Sequence, residues 1–552
     1  MKLIAAGIYA LCAMVAGEGC GDDGAETAGG DAGHDGGDGL PGCAGAPGSA
    51  YDPLASYVAP PRTVTLVVTS VADAGPGSLR AALASAPADA VIGFAPALAQ
   101  QSIALESKLE LANSVTIDGS GAPGITLDGQ NKTAMLHYSG DAKHAFVFAS
   151  LRFRRGMHAA SETFKSGAAI DLNGKLLDVE VAGCRFEDNV SSEGGAIRVG
   201  YLKETNVYVH DSVFERNSGA DGGGGTGHSG GAISAQNTNL HVARCRFDAN
   251  AGPVTGALYT IGSDPLVEDT VFVGNRTTAL TSGSGAFFAD GANGGTSASA
   301  PAGVMTLRRV LFEGNHGAGD DSGAVEAYAY PNDTVVIDAC VFHANHAEGR
   351  AGAAFIHANK QVDVMRTAFV DNDATGQGGA IWADGDASYT FENVLFSGNS
   401  TTSDFGGALR LNITNAARLR IASTTVVDNL ASGGNGAIWI AGMRDAHVTN
   451  SIFANNRTVG SGQQINFPMT DDGGNIVWPM VSTATPALAS ALAADPLLGP
   501  LLATDGTWAR MPEPASPAVG GGVAPAPMID LRGAARDTAP DIGAFEVGAR
   551  CN

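Results

Sequence analysis

Two short signatures alternate along most of this chain, and no other feature constrains its fold as tightly. The first is Phe-x-x-Asn, at Phe186/Asn189, Phe214/Asn217, Phe247/Asn250, Phe272/Asn275, Phe312/Asn315, Phe342/Asn345, Phe369/Asn372, Phe396/Asn399 and Phe453/Asn456, with Val426/Asn429 as a variant. The second is Gly-Gly-Ala-Ile or a relative, at 194–197, 230–233, 378–381 and 406–409, with shorter forms at 256–258, 285–287, 323–325, 352–354 and 436–438. Successive asparagines lie mostly 25 to 33 residues apart, about one turn of a three-faced β-coil. A chain of 552 residues would ordinarily suggest about three or four domains. A regular repeat replaces that expectation with one stacked architecture.

Inside each unit the pattern is that of a strand. The isoleucine of the second signature is replaced on other coils by Leu258, Phe287, Val325, Ala354 and Leu409, and two residues on stand Val199, Ala235, Thr260, Ala289, Ala327, Ile356, Ala383, Leu411 and Ile440. Both columns are small or apolar and face inward. The phenylalanines are expected to stack as an internal ladder and the asparagines to form an amide ladder at a turn. Ten coils at ~4.8 Å give a rod of roughly 45–50 Å. Cys184, Cys245 and Cys340 each stand two residues before a repeat phenylalanine, so they are equivalent inward positions. Cys184 and Cys245 fall two coils apart, ~9.6 Å, beyond disulfide reach. They read as buried thiols and not as a metal cluster. Cys43 and Cys551 are left as a pair that nothing in the sequence requires.

These signatures resemble the repeats of chlamydial polymorphic outer membrane proteins and related bacterial β-helix proteins of the pectin-lyase-like class. The run Val67-Val68-Thr69-Ser70, Gly75-Pro76-Gly77-Ser78-Leu79-Arg80, Val91-Ile92-Gly93-Phe94 and Val115-Thr116-Ile117-Asp118-Gly119 is similar to the N-terminal cap of secreted β-helix proteins. Ser516-Pro517-Ala518-Val519-Gly520, Asp530-Leu531-Arg532-Gly533 and Asp541-Ile542-Gly543-Ala544-Phe545-Glu546 resemble the closing segment of choice-of-anchor β-helix proteins. The resemblance implies an all-β chain: a single-stranded right-handed parallel β-helix, a three-faced solenoid with a short capping helix over Leu79–Ala86. It is specific for fold and export and says little about activity, because one coil architecture carries lyases, hydrolases and adhesins.

The N-terminus supplies a location. Lys2 precedes an apolar run, Leu3 to Ala16, too short to span a bilayer, and Ala16-Gly17-Glu18-Gly19-Cys20 follows. This resembles a lipoprotein signal with Cys20 as the lipidated residue, although Gly17 and Glu18 depart from that motif. Plain secretory cleavage is the alternative. The divisions expected are an export signal at 1–20, a Gly/Asp-rich tether at 21–60, the β-helix with its cap at 61–480 and a closing segment at 481–552. A net charge of −24 repels phosphate backbones, so nucleic acid is not an expected partner. The protein is expected at the cell surface or outer membrane, lipid-anchored or otherwise secreted, as a monomer.

Candidate chemistry sits on the outward column that follows the isoleucine. Tyr259, Phe288, Phe355, Trp382 and Trp439 are expected in register on one face, as rings for stacking on the sugars of an extended glycan. Tyr328, His357, Asp384 and Arg410 cluster beside them as candidate catalytic groups, with Glu326 nearby. A lyase needs a base for the C5 proton and a cation for the uronate carboxylate; Arg410 suits the second task and His357 or Tyr328 the first. A hydrolase needs two carboxylates about 6–10 Å apart, for which Glu326 and Asp384 are the pair. Against both stands the expectation that loops between coils cover the rings, leaving a structural column. The leading reading is a surface protein that binds glycans or neighbouring surfaces without turnover. The alternative is a polysaccharide lyase, ahead of a glycoside hydrolase. No metal and no cofactor are expected, except calcium if the protein is a lyase.

Overall fold

The computed structural model describes residues 45–158, 165–200, 205–219, 230–278, 283–293, 301–319, 322–413, 417–433, 437–442, 445–459, 464–479, 488, 490–504 and 507–549. Cys20, Cys43 and Cys551 lie outside them. The described chain is an all-β parallel β-helix of about 13 turns. Each full coil contributes one strand to each of three parallel sheets, of 15, 12 and 14 strands, and many add a two-residue strand to a fourth, of eight. One coil runs Ile381–Gly385, Ser388–Glu392, Leu395–Ser397 and Ser400–Thr401, in the 12-, 15-, 14- and 8-stranded sheets in turn. The next begins at Leu409, paired with Ile381.

The first signature builds the 14-stranded sheet. Its phenylalanines face inward with ring centroids 4.7 to 5.0 Å apart from Phe153 through Phe396. Phe153 extends the ladder one coil before the first repeat, so Phe186 stands inside the stack and not at its end. The asparagines that follow are buried and fully used. In Asn345, the backbone N–H and the side-chain amide both donate to Asn372 Oδ1, and Nδ2 also donates to the Phe312 carbonyl. The same arrangement runs from Asn189 to Asn456, where Gln464 Oε1 accepts the last amide at 3.0 Å. A turn carbonyl and a turn N–H that would otherwise be orphaned in the core are thereby paired on every coil.

The corners explain why strands of this sheet are only three residues long. A residue with left-handed φ precedes each ladder asparagine, for example Asp371 at 52° and Asp428 at 58°, and another precedes each strand, for example Arg366 at 47° and Asn393 at 55°. Most are not glycine, so the cost of this conformation, ~1–2 kcal/mol per residue, is held by the ladder bonds around it. The second signature needs glycine for a different reason. A Cβ on Gly323 would lie 2.0 Å from the Gly352 carbonyl oxygen of the next coil, so the backbones meet where a side chain would stand.

The capping helix runs Leu79–Ser85, with Ser78 accepting from the Ala81 N–H and Leu79 buried in the main core. Cys184, Cys245 and Cys340 are buried free thiols, and burial pushes Cys184 and Cys340 up to about 12.

Two segments depart from expectation. Residues 45–60, assigned to the tether, dock on the coils: Ala46 is buried with Tyr51 against the outer side of the 14-stranded sheet, and the Tyr57 ring occupies the space a Cβ on Gly183 would fill. The closing segment has a path that the sequence left open. It folds back along the same outer side, packing Ala518, Leu531, Ile542, Ala544 and Phe545 on Val341, Ala368, Leu395, Val427 and Ile452. Buried Arg536 ties it there through Asn393 Oδ1 at 2.9 Å and Glu546 Oε2 at 3.1 Å.

Candidate functional site

The outward column of the 12-stranded sheet is in register as the sequence predicts: Tyr259, Phe288, Glu326, Phe355, Trp382, Arg410 and Trp439 pair in succession. Parity explains it, since Ile381 and Ile438 point into the core and the next residue must point away. The rings are nevertheless not an open platform. Tyr259, Phe288, Phe355 and Trp382 are buried, at 2%, 8%, 2% and 6% exposure, and only Trp439 is half-buried.

Short turns after the eight-stranded sheet cover Phe355 and Trp382. In one, Arg350 lays its guanidinium over Phe355 at 5.4 Å and over Trp382 at 4.7 Å, contacts that are favourable for a cation on a ring face. Ala351, Phe355, Trp382 and Tyr328 form a small apolar cluster outside the main core. Trp382 Nε1 donates to Gln377 Oε1 at 3.0 Å. Arg410 does the same work one coil on, 4.4 Å over Trp439 and 3.3 Å from Asp404 Oδ2. It is therefore committed to its own turn, not held ready for a substrate carboxylate. Glu326 is fully buried between the coils of Phe288 and Phe355, so Glu326 and Asp384 do not face one substrate as a hydrolytic pair.

Two residues further out along each strand the picture changes. Asp290, Tyr328, His357, Asp384 and Asn412 pair in succession, and all are half-buried except exposed Asn412. His357 Nδ1 lies 2.5 Å from Asp384 Oδ1, and the Tyr328 ring is 5.7 Å from the imidazole. The hydrogen bond to Asp384 holds the His357 pKa above the usual imidazole range, against a smaller opposing effect of burial. Tyr389 Oη anchors this dyad by donating to the Asp384 carbonyl at 2.9 Å. Of the four candidate catalytic residues, Tyr328, His357 and Asp384 thus meet, and Arg410 stands apart.

The sequence did not point to two other polar clusters. At the N-terminal end of the same face, Glu110, His137, Asp171 and Arg198 follow one another coil by coil. His137 Nδ1 lies 2.6 Å from Glu110, its Nε2 lies 3.8 Å from Asp171, and burial raises the Asp171 pKa. On the outer face of the 15-stranded sheet, Gln361, Thr390, Arg418, Arg420, Asp445, His447 and Asp472 line a cleft of about 450 Å³. His447 sits 2.9 Å from both Asp472 and Asp445, and the bond to Asp472 leads the rise in its pKa. Neither cluster repeats one residue type from coil to coil, so no signature drew attention to it.

No family model matches the chain, and no curated protein matches it. Among solved structures, that of pectate lyase Pel9A is similar over 88% of this chain and 97% of its own, at 13% identity and a TM-score of 0.28, a likeness too low to carry a residue from one protein to the other.

Proposed function

We propose that this is an exported, lipid-anchored β-helix protein that binds an extended polysaccharide without breaking it. The observation that carries this reading is the strip Tyr328, His357, Asp384 and Asn412, one partly exposed polar or ring side chain per coil in strict register. Its rungs repeat at ~4.8 Å, comparable with the rise of one sugar in an extended glycan. Hydroxyl groups of such a ligand meet donors and acceptors at each rung, and the half-buried Trp439 stands in the neighbouring column, paired with Arg410. Arg410 is paired with Asp404 in its own turn, away from the strip, which supports binding over turnover.

Lyase chemistry is the second reading, favoured by the meeting of Tyr328, His357 and Asp384. There His357 or Tyr328 would take the C5 proton while the C4–O bond breaks, giving a C4–C5 double bond and a leaving oxygen that takes up a proton, and a bound calcium would neutralise the uronate carboxylate, because Arg410 is held by Asp404. A screen of the mature protein against diverse polysaccharides separates the two. Retention on a glycan with no new reducing ends and no absorbance from unsaturated products supports binding; product absorbance supports the lyase; neither retention nor product rejects both.

A further inference from the structure

Two histidines stand immediately after successive ladder asparagines, in Asn315-His316 and Asn345-His346. The ladder fixes their backbones, and the two-residue strands place His316, His346 and Asp373 on consecutive rungs. The imidazole centroids are 5.1 Å apart. Two residues after His346, Glu348 turns back so that its Oε1 lies 3.5 Å from His316 Nε2 and 3.6 Å from His346 Nε2. Four ligands about 2.0–2.2 Å from a tetrahedral zinc ion are separated by about 3.3–3.6 Å. Two edges of such a tetrahedron are therefore already close to length, and one donor atom from each of the three residues lies within 4.8 Å of the other two.

Two more observations point to a ligand. His346 Nδ1 is 2.6 Å from Asp373 Oδ2, so Nδ1–H donates to the carboxylate and leaves the Nε2 lone pair on the side of the other donors. A carboxylate behind a ligating histidine fixes its tautomer and raises its basicity in this way. His316 Nε2 is buried and makes no hydrogen bond, a desolvated ring nitrogen beside a carboxylate oxygen.

We propose that His316, His346 and Glu348 form a transition-metal site of the zinc type, oriented by Asp373 and completed by water. Two imidazoles and one carboxylate suit zinc, copper or nickel. Calcium asks for six to eight oxygens and magnesium for an octahedron of them, so the set selects against both. Glu348 begins the turn that carries Arg350, so the metal also ties down the cover over Phe355 and Trp382. The site is independent of the polysaccharide reading and stands or falls separately.

The test uses the metal-stripped full chain and zinc alone, titrated calorimetrically near neutral pH. One equivalent is expected to bind, with calcium failing to compete. His316→Gln and His346→Gln should each weaken binding at least about 100-fold, and Asp373→Asn about 10- to 100-fold. His343→Gln, on the neighbouring sheet, should change nothing. Cobalt in place of zinc should give the intense visible absorption of a four-coordinate ion. If the half-buried His316 variant misfolds, Glu348→Gln, at a position 55% exposed, gives the same reading in a folded chain. Absence of stoichiometric binding, equal competition by calcium, or binding that survives the His316/His346 double substitution overturns the site.

Discussion

Single side chains hold this protein together by repetition, so their removal is felt more in the middle of a ladder than the side chain's size suggests. Phe342 is fully buried between Phe312 and Phe369; Phe342→Ala should cost about 3–5 kcal/mol, measured as a shift in the denaturant midpoint. Asn345→Ala strands a backbone N–H of the preceding coil and the Phe312 carbonyl, and should cost about 2–3 kcal/mol. His357 makes a prediction in pH. Its pKa is raised by Asp384, so the pair's contribution is fully present below the unfolded value of about 6.5 and is lost as pH rises through the raised folded value. Asp384→Asn should lower the His357 pKa, followed by NMR titration of the imidazole, and remove that loss of stability on the alkaline side. An unchanged titration would mean the hydrogen bond does not form in solution. Both ladders were legible in the sequence because each uses one residue type at one place on nearly every coil, with Val426 standing in for one phenylalanine. The left-handed corners were not, since Asp371, Arg366 and Asn393 serve there in place of glycine.

Strands and turns differ in how much they disclose. Every strand of the 12-stranded sheet alternates, so the register of Tyr259 through Trp439 followed from parity alone. Whether those rings meet water depends on the turns, and the turns differ from coil to coil in length and composition. Arg350 and Gln377, which cover Trp382, belong to no repeat. Arg350→Ala should uncover the indole: in a variant retaining Trp382 as its only tryptophan, emission should shift to the red and acrylamide quenching should increase. Unchanged emission would show that the turn's backbone, not the guanidinium, supplies the cover. The histidines of the proposed metal site left a signal that was overlooked, an Asn-His pair repeated on consecutive coils. The clusters at Asp171 and at Arg420 and His447 left none, because single residues on separate coils acquire meaning only when stacked.

At the scale of the molecule, the inner core is one continuous column, and a second apolar layer outside the 14-stranded sheet is closed by the strap at residues 45–57 and by the C-terminal segment. The path of the C-terminal segment was not legible, since a chain that folds back along a side leaves the same composition as one that covers an end. That layer leaves the strip Tyr328, His357, Asp384 and Asn412 on a different side, open for a ligand. Among the described residues no helix is long and apolar enough to cross a membrane, and the proposed anchor is a lipid on Cys20. Cys20→Ser should release the protein from the membrane fraction with its far-ultraviolet spectrum intact; continued fractionation with membranes would exclude the lipid anchor.

Binding of an extended glycan at that strip is the central claim, and affinity electrophoresis on the polysaccharide selected by the screen tests it most directly. Wild-type protein should be retarded, Tyr328→Ala and His357→Ala should each weaken retardation at least about tenfold, equivalent to about 1.4 kcal/mol, and the melting temperature should hold. Equal retardation of all three proteins, or loss of retardation only where the variant unfolds, would contradict it.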